Sequence, residues 1–357
     1  MTRQQPLTAL GLMSGTSLDG IDAAIIETDG EGVRNTGPAA TVAYDPGLRE
    51  SIRSLLGSDG DADVAHRLTL KHAEVVRTLL TGNGIAAADI DVIGFHGHTV
   101  LHRPRAGISR QIGDGALLAC QTGIPVVDDF RGRDIAAGGE GAPLAPLFHA
   151  ALSGDLEKPL AVLNLGGVGN VTWIGKKGEL VAFDTGPGNA LIDDWTAKTI
   201  HRPMDEGGRL ALGGRVDKDI LGELLEHAYF HRPPPKSLDR DDFSLARLSA
   251  LSPADGAATL TALTAKAVAK TRVFFTTQPK RWLVCGGGRY NKTLMTALRE
   301  VLRTSVEPVE SVGWQGDVLE SQAFGFLAVR SLYGLPISLP ATTGVNRPLT
   351  GGRLHRP

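Results

Sequence analysis

Asp184 stands where a carboxylate could act as a general base. It lies in FDTGPGN (183–189), where an apolar run ends and a Gly-Pro-Gly turn opens a helix. An acid at the carboxyl end of a strand, followed by glycines, is well placed to face a cleft. A positioned carboxylate there can take a proton from water or a hydroxyl group. The alternative is that Asp184 or Thr185 merely caps the turn; we favour the general base.

A polar hairpin loop follows the first apolar run of the chain. In GLMSGTSLDGID (11–22) the glycines permit a tight turn and close approach of a ligand. Ser14, Thr16 and Ser17 supply hydroxyl donors, and Asp19 could hold a hydrated Mg²⁺ because hard cations prefer carboxylate and water ligands. The alternative is an ordinary hairpin in which this aspartate only serves the turn.

A second hairpin of the same kind appears in NLGGVGN (164–170), with Gly166, Gly167 and Asn170 in its turn. Two such hairpins facing one another would direct backbone N–H groups at an anion, as phosphate-binding turns do. The glycines of CGGGRYN (285–291) could bring backbone close to a flat ligand such as adenine. Together these loops indicate a two-lobed nucleotide-using enzyme.

Three common sites are not indicated. CGGGRYN nearly fits G-x-G-x-x-G, but Asn291 stands in place of the third glycine and no βαβ unit surrounds it, so a Rossmann site is not favoured. The chain contains no G-x-x-x-x-G-K-[ST], which argues against P-loop chemistry. GLMSG around Ser14 is not the G-x-S-x-G of a hydrolase elbow.

Other polar residues leave alternatives open. His96, His98 and His102 in HGHTVLH could supply metal ligands from one strand face, or His96 could line a cleft beside a structural His98. Arg131 and Arg133 could clamp an anionic substrate or simply be solvated. Glu320, three residues after a possible N-cap at Asp317, is either a capping acid or an acceptor for a polar substrate. Spacing alone does not separate the two roles of Glu320.

Composition sets further bounds. At roughly 150 residues per domain, 357 residues suggest two domains. The net charge of −2, with no long block of like charge, favours neither nucleic acid nor a membrane as partner. Cys120 and Cys285 lie in apolar runs, which indicates reduced thiols. The start of the chain lacks the features of a signal peptide, and no apolar run approaches the roughly 18 residues of a membrane span. We expect a soluble, cytoplasmic protein.

The elements that must position these residues alternate in an α/β order. Each half begins with three strands and a polar glycine hairpin, then continues with helix and a later strand ending in glycines. This order indicates a duplicated α/β fold. We divide the chain into an N-terminal domain at 1–135, a C-terminal domain at 136–340 and an irregular tail at 341–357.

With these residues in place, the chain resembles the anhydro-N-acetylmuramic acid kinases of the actin/hexokinase/heat-shock-70 ATPase superfamily. The matching segments, in family order, are GLMSGTSLDGID, HGHTVLHRP, QIGDGALLA, DFRGRDIAAGGEGAPLAP, NLGGVGN, FDTGPGNALID, CGGGRYN and DVLESQAFGFLA. The resemblance implies two RNase-H-like domains with ATP in the cleft between them.

The resemblance also implies site residues. The implied ATP contacts are Gly15, Thr16, Ser17, Leu18, Asp19, Gly20, Ile21 and Asp22 in the first phosphate loop, Gly166, Gly167 and Asn170 in the second, and Gly286, Gly287, Gly288 and Asn291 on the adenosine side. The implied sugar contacts are Ser14, His96, Gly97, Arg131 and Glu320.

The reaction implied by the family opens the 1,6-anhydro ring of anhydro-N-acetylmuramic acid with water and phosphorylates O6, a step in peptidoglycan recycling. Asp184 would deprotonate the water, and Mg²⁺ with the loops would stabilise the transferring phosphoryl group. A homodimer is implied as well. The alternatives are a non-catalytic nucleotide-binding scaffold of the same fold, a metal-dependent hydrolase built on His96 and His98, and a plain hexose kinase.

Overall fold

The computed structural model describes residues 4–15, 18–238 and 242–357. Its strands are β1 Leu7–Ser14, β2 Gly20–Thr28, β3 Val33–Ala43, β4 Val92–Arg103, β5 Ile108–Ile112, β6 Val126–Asp128, β7 Leu160–Leu165, β8 Val168–Ile174, β9 Leu180–Pro187, β10 Arg281–Cys285, β11 Ser305–Pro308 and β12 Arg353–His355. Its α-helices are α1 Pro46–Ser54, α2 Ala62–Gly82, α3 Gly115–Thr122, α4 Gly132–Ala136, α5 Pro146–Leu152, α6 Ala190–Ile200, α7 Arg209–Leu212, α8 Lys218–Leu225, α9 Pro253–Lys270, α10 Lys292–Leu302, α11 Leu319–Leu332 and α12 Pro340–Thr343. Among the helices of these ranges, none is long and apolar enough to cross a membrane.

The chain forms two compact units. Unit 1 consists of Met1–Asp155 together with Asp317–Pro357, and unit 2 of Leu156–Gly316. This differs from the predicted division at residues 135 and 340, because α5 and α11 both belong to unit 1. The chain therefore leaves the first unit, builds the second, and returns.

The two sheets have corresponding strand orders. In unit 1 the order is β12-β6-β4-β1-β2-β3, with β5 paired to β4, and in unit 2 it is β11-β10-β7-β8-β9. In each sheet the first three strands form an antiparallel meander, and the first strand also pairs in parallel with a later strand. The repeated topology confirms the predicted α/β duplication and its RNase-H-like units.

Local sequence signals account for the helix ends. Asp61 caps α2 by accepting from Val64 N–H, and Ser252 caps α9 by accepting from Asp255 N–H. Gly123 ends α3 in the left-handed conformation, which glycine adopts without steric cost. The predicted N-cap at Asp317 is wrong, because α11 begins at Leu319 and Val318 occupies the cap position.

The C-terminal tail is not irregular as predicted. It contributes α12 and the three-residue strand β12, which pairs antiparallel with β6. The Asp128 carboxylate of β6 accepts hydrogen bonds from the Arg353 guanidinium at 3.2 Å and contacts His355 Nε2 at 3.0 Å. A strand this short carries no readable alternation, so its partner strand decides its conformation.

Helix α11 packs against β1 and β4 at very close range. A Cβ atom added at Gly11 of β1 would lie 1.6 Å from Ser321 O, and one added at Gly94 of β4 would lie 2.0 Å from Phe324 O. Both obstacles are backbone atoms of α11, which a rotamer change cannot move. Two glycines on neighbouring strands thus let the helix backbone approach the sheet.

We predict that Gly11→Ala destabilises the protein by at least about 2 kcal/mol, because the added methyl group must displace a helix backbone. Gly82→Ala is the matched control: it lies in α2, and its Cβ would meet no atom within 4 Å. The control should change stability by less than about 1 kcal/mol. Urea unfolding of both variants measures the difference, and equal stabilities would contradict the close packing.

Candidate active site

Asp184 lies in β9 and is held by one segment of unit 2. Its N–H donates to Lys236 O at 3.1 Å, and its carbonyl oxygen accepts from the Tyr229 hydroxyl at 2.6 Å. Its carboxylate oxygen Oδ2 accepts from Leu238 N–H at 2.9 Å. The segment Tyr229–Leu238 therefore binds the backbone and the side chain of Asp184, which orients the carboxylate.

The strand that carries Asp184 is longer than predicted. β9 continues to Pro187 because Gly186 and Pro187 still pair with β8 across a register shift. Asp184 thus lies inside the strand and not at its end. α6 begins at Ala190 with Asn189 in the cap position, while the Asp184 carboxylate accepts from a residue 54 positions along the chain. The carboxylate therefore contacts a distant segment of the chain.

Three glycine-rich segments meet at one edge of the unit 2 sheet. Strands β7 and β10 are parallel neighbours, so NLGGVGN and CGGGRYN leave the sheet at the same edge. A Cβ atom at Gly286 would lie 2.3 Å from Asn164 Oδ1, so these two loops touch. The carbonyl groups of Gly166 and Gly167 accept from the N–H groups of Asn189 and Gly188 at 2.8 and 2.9 Å, which adds FDTGPGN to the group. The structure therefore brings the predicted loops of this unit together.

Two residues of CGGGRYN have structural contacts that the sequence did not reveal. Asn291, predicted to contact ATP, caps α10 by accepting from Leu294 N–H at 2.9 Å and is buried. The Arg289 side chain is buried as well. Its guanidinium donates to Gly286 O at 3.0 Å and to Glu310 at 2.8 Å. A buried guanidinium with these partners fixes the glycine loop in place.

The first phosphate loop is partly described. Thr16 and Ser17 lie outside the described residues. Leu18 N–H donates to Gly15 O at 3.1 Å, and Leu18 O accepts from Arg49 Nε at 2.8 Å. The Leu18 side chain is buried in the core of unit 1. This residue can therefore contact a ligand through its backbone only, and its side chain anchors the loop.

The remaining residues of this loop open β2 and include two acids. Gly20 begins the strand, and the Ile21 side chain is fully buried. Asp19 is exposed, whereas Asp22 is mostly buried and accepts from the Thr41 hydroxyl at 2.6 Å. The pKa of Asp22 is raised to about 6, mainly by burial and in smaller part by the negative charges of Asp317 and Asp19, against the effect of that hydrogen bond. The surroundings of Asp22 therefore disfavour the ionised form of its carboxylate.

Ser14, predicted to contact the sugar, is an interior residue. It is 1% exposed, and its hydroxyl group hydrogen-bonds to the Tyr44 hydroxyl and to His98 Nδ1, the latter at 2.6 Å. Burial lowers the pKa of His98 to about 4, so its ring is neutral at physiological pH. The Ser14 hydroxyl group thus links β1 to β4 through His98, and it does not face solvent.

His96 and Arg131 form a buried pair. His96 Nδ1 donates to Gly97 O at 3.0 Å, which leaves Nε2 to accept from Arg131 Nε and Nη2 at 3.1 and 3.0 Å. Arg131 also donates to Gly141 O. Burial, followed by the Arg131 charge, holds the pKa of His96 well below its usual range. The ring is neutral and orients the guanidinium.

These contacts bear on the alternative metal site. His96 Nε2 faces a guanidinium, His98 Nδ1 binds Ser14, and His102 Nδ1 binds Ser109 Oγ at 3.0 Å. Within residues 4–15, 18–238 and 242–357, no group of three or more His, Cys, Asp or Glu side chains is arranged to hold a metal ion.

Arg133, the second arginine considered as an anion clamp, has a partner in the C-terminal tail. Its guanidinium donates to Thr350 Oγ1 at 2.6 Å.

Unit 1 contains a cavity beside the histidine–arginine pair. Its volume is about 200 Å³, and its lining includes His96, Gly97, Gln111, Asp129 and Arg353. Glu320 lies in the first turn of α11, in the same unit, and is exposed. Unit 1 thus carries the predicted sugar contacts, and unit 2 carries the predicted base and three glycine-rich segments.

Two α/β units with the same strand order and glycine-rich loops form the architecture of a nucleotide-using phosphotransferase. The anhydro-N-acetylmuramic acid kinase family profile matches residues 7–356. The chain belongs to that family.

Relatives support the match along the whole chain. It is 57% identical to the anhydro-N-acetylmuramic acid kinase of Paramagnetospirillum magneticum over 98% of this chain and 100% of that protein. It is 58% identical to the protein of the same name from Rhodospirillum rubrum, over 96% and 93% of the two chains. A solved structure, component A of the Acidaminococcus fermentans (R)-2-hydroxyglutaryl-CoA dehydratase, matches at 12% identity and a TM-score of 0.47 over 90% of this chain and 99% of that one. That likeness is too distant to bear on the site.

We predict that Asp22→Asn stabilises the ligand-free protein at pH 7.5 by about 1–3 kcal/mol, because ionised Asp22 is disfavoured in the folded state. The folded pKa of about 6 lies above the ordinary value of 3.8, so the penalty is full above pH 6. The gain should shrink as the pH falls through 6 towards 3.8.

Unfolding in urea with a chelator present, at several pH values, measures this effect. Asp59→Asn is the control, since the Asp59 side chain is 85% exposed. A gain of equal size at pH 4 and pH 7.5, or an equal gain in the control, would contradict the charge penalty at Asp22.

Proposed function

We propose that this protein is an ATP-dependent kinase that opens the 1,6-anhydro ring of anhydro-N-acetylmuramic acid and phosphorylates O6, giving N-acetylmuramic acid 6-phosphate for peptidoglycan recycling. The observation that carries the proposal is the family match over residues 7–356, together with an Asp184 whose backbone N–H, backbone carbonyl group and carboxylate are all hydrogen-bonded by one segment. Because ATP is a cytosolic metabolite, we place the reaction in the cytoplasm. The dimer that the family resemblance implies is part of the same proposal.

Asp184 acts as the general base in this scheme. It takes a proton from a water molecule whose oxygen attacks the anomeric carbon of the sugar. The bond from that carbon to O6 breaks, and O6 takes the γ-phosphoryl group of ATP as ADP leaves. A positioned base contributes typically about 10²- to 10⁴-fold to such a step.

The glycine-rich loops hold the nucleotide through their backbones. In unit 2, Gly166, Gly167 and Asn170 are placed for the phosphates, and Gly286–Gly288 for the adenosine. In unit 1, the loop Gly15–Asp22 supplies further phosphate contacts. The buried side chains of Leu18 and Ile21 support backbone contacts there. Oriented N–H groups stabilise charge on the transferring phosphoryl group without reorganisation.

The acids of unit 1 fit a magnesium ion. Asp22 is a mostly buried carboxylate whose pKa is raised by burial and by the charges of Asp317 and Asp19. A cation would relieve this penalty, and Mg²⁺ in kinases is held by one or two carboxylates with phosphate oxygens and water. Asp19 and Asp22 would hold it. When bound, Mg²⁺ neutralises charge on the phosphates.

The sugar contacts lie in unit 1. The Arg131 guanidinium, oriented by His96, supplies a fixed positive charge for the lactyl carboxylate. The exposed carboxylate of Glu320 accepts hydrogen bonds from sugar hydroxyl or amide groups. Gly97, beside His96, lines the neighbouring cavity.

We predict that Asp184→Asn abolishes sugar-dependent ADP release while ATP binding stays within about twofold of wild type, because only the base is removed. ADP release with MgATP is measured with and without anhydro-N-acetylmuramic acid. Asp219→Asn, an exposed acid of unit 2, is the control and should behave as wild type. Normal turnover in Asp184→Asn would remove the mechanism. ADP release from wild type without sugar would favour the nucleotide-binding scaffold, and equal use of glucose would favour a hexose kinase.

We predict that Glu320→Ala raises the Michaelis constant for the sugar about tenfold or more, since a charged hydrogen-bond acceptor is lost. Its dissociation constant for ATP should stay unchanged. Steady-state kinetics with the sugar and calorimetric titration with ATP separate these effects. A Michaelis constant and rate for the sugar equal to those of wild type would remove Glu320 from the sugar site.

A further inference from the structure

Lys236 is a buried lysine in unit 2, within a Pro-rich segment that resembles a linker in sequence. The residue is 3% exposed. Its Nζ donates to Tyr229 O at 3.0 Å and lies 4.6 Å from the centre of the Tyr229 ring. The Phe274 and Phe183 rings lie 4.9 and 5.6 Å from the same nitrogen. The ammonium group therefore sits in an aromatic cage with one backbone acceptor.

The same segment holds Asp184 at three points. Tyr229, at its beginning, donates its hydroxyl group to Asp184 O. Lys236 and Leu238, near its end, bind Asp184 N–H and Oδ2. The Lys236 side chain bonds back to Tyr229, so it joins the two ends of the segment that encloses Asp184.

The position is costly for a charge. The pKa of Lys236 is lowered to about 8 by burial and by the Arg232 charge, against the opposite effect of the Asp184 carboxylate. The ammonium therefore remains protonated at neutral pH. Cation–π contacts and the Tyr229 carbonyl group offset part of the desolvation. An apolar side chain of similar size would fill the cage without this penalty, so filling space does not explain a lysine here.

We propose that Lys236 is a positioning residue for the general base: its charged side chain holds the segment Tyr229–Leu238 closed around Asp184. The inference rests on the proposed function of Asp184. The ammonium also favours the ionised carboxylate that the base needs before it takes a proton, since an opposite charge nearby stabilises that form. In this role Lys236 acts through Asp184.

The test compares three variants of the full chain. Lys236→Met keeps the length of the side chain and removes the charge, whereas Lys236→Arg keeps a charge. Lys266→Met, at an exposed lysine of α9, is the matched control. For each variant, kcat and the Michaelis constant for the sugar are measured with the dissociation constant for ATP and the melting temperature.

We expect Lys236→Met to lower kcat about tenfold or more, because small displacements of a catalytic group are costly. Its ATP dissociation constant should stay within about twofold of wild type. Lys236→Arg should retain more activity than Lys236→Met, and Lys266→Met should match wild type. An unchanged kcat in Lys236→Met would overturn the proposal, as would equal losses in the Met and Arg variants.

A further variant, Tyr229→Phe, covers the case in which Lys236→Met does not fold. Tyr229→Phe removes the hydroxyl bond to Asp184 O and leaves the carbonyl acceptor of Lys236 in place. It should lower kcat in a protein that still shows a cooperative melting transition, and an unchanged kcat would overturn the proposal. Sugar-dependent ADP release by wild type is measured first; if it is absent, the proposed function itself has failed, whereas active wild type with unaffected variants refutes the positioning role alone.

Discussion

The close approach of helix α11 to strands β1 and β4 determines how unit 1 is built. Gly11 and Gly94 carry no side chain, so the carbonyl groups of Ser321 and Phe324 can lie against the sheet. This contact commits the last part of the chain to the unit in which the first part lies. It also places Glu320, in the first turn of that helix, in the unit that contains His96 and Arg131. The arrangement of the proposed sugar contacts thus depends on a backbone contact between distant parts of the sequence.

Each unit keeps one charged group in an unfavourable setting close to its proposed site. In unit 1, burial and neighbouring acids raise the pKa of Asp22. In unit 2, burial lowers the pKa of Lys236. Proteins tend to accept such penalties where activity needs the charge, because an apolar or neutral residue would otherwise stabilise the fold. The two groups have opposite signs, which agrees with the two proposals that Asp22 binds a cation and that Lys236 positions a carboxylate.

The sequence predicted the elements well because their signals are local. The alternation of strands, the cap at Gly123 and the glycine-rich loops all depend on residues close together in the chain. The unit boundary could not be predicted this way, since α11 returns to β1 through a contact between residues about 310 positions apart, Gly11 and Ser321. For the same reason the burial of Ser14 was missed. Its partners Tyr44 and His98 are brought to it by the sheet.

In the candidate site, too, local signals were predicted and contacts between distant residues were missed. Asp184 was predicted from its glycine turn, but the segment that holds it comes more than forty residues later. A lysine between prolines and a serine carries no signal of an aromatic cage, because the rings of Phe183 and Phe274 come from other parts of unit 2. The capping role of Asn291 was hidden by a near match to a dinucleotide motif. A cap needs a following helix, and α10 does begin at Lys292.

Unit 2 is inserted in the sequence between the two parts of unit 1, and this order affects folding during synthesis. Leu156–Gly316 leave the ribosome as one continuous stretch and contain every strand of their own sheet. The earlier residues of unit 1 must wait for α11 and β12, which are translated after the second unit. Domains generally fold as units during synthesis. The second unit therefore completes its fold while the first, although begun earlier, still exposes the sheet face that α11 will cover. Nascent chains stalled before residue 317 would present that face to chaperones.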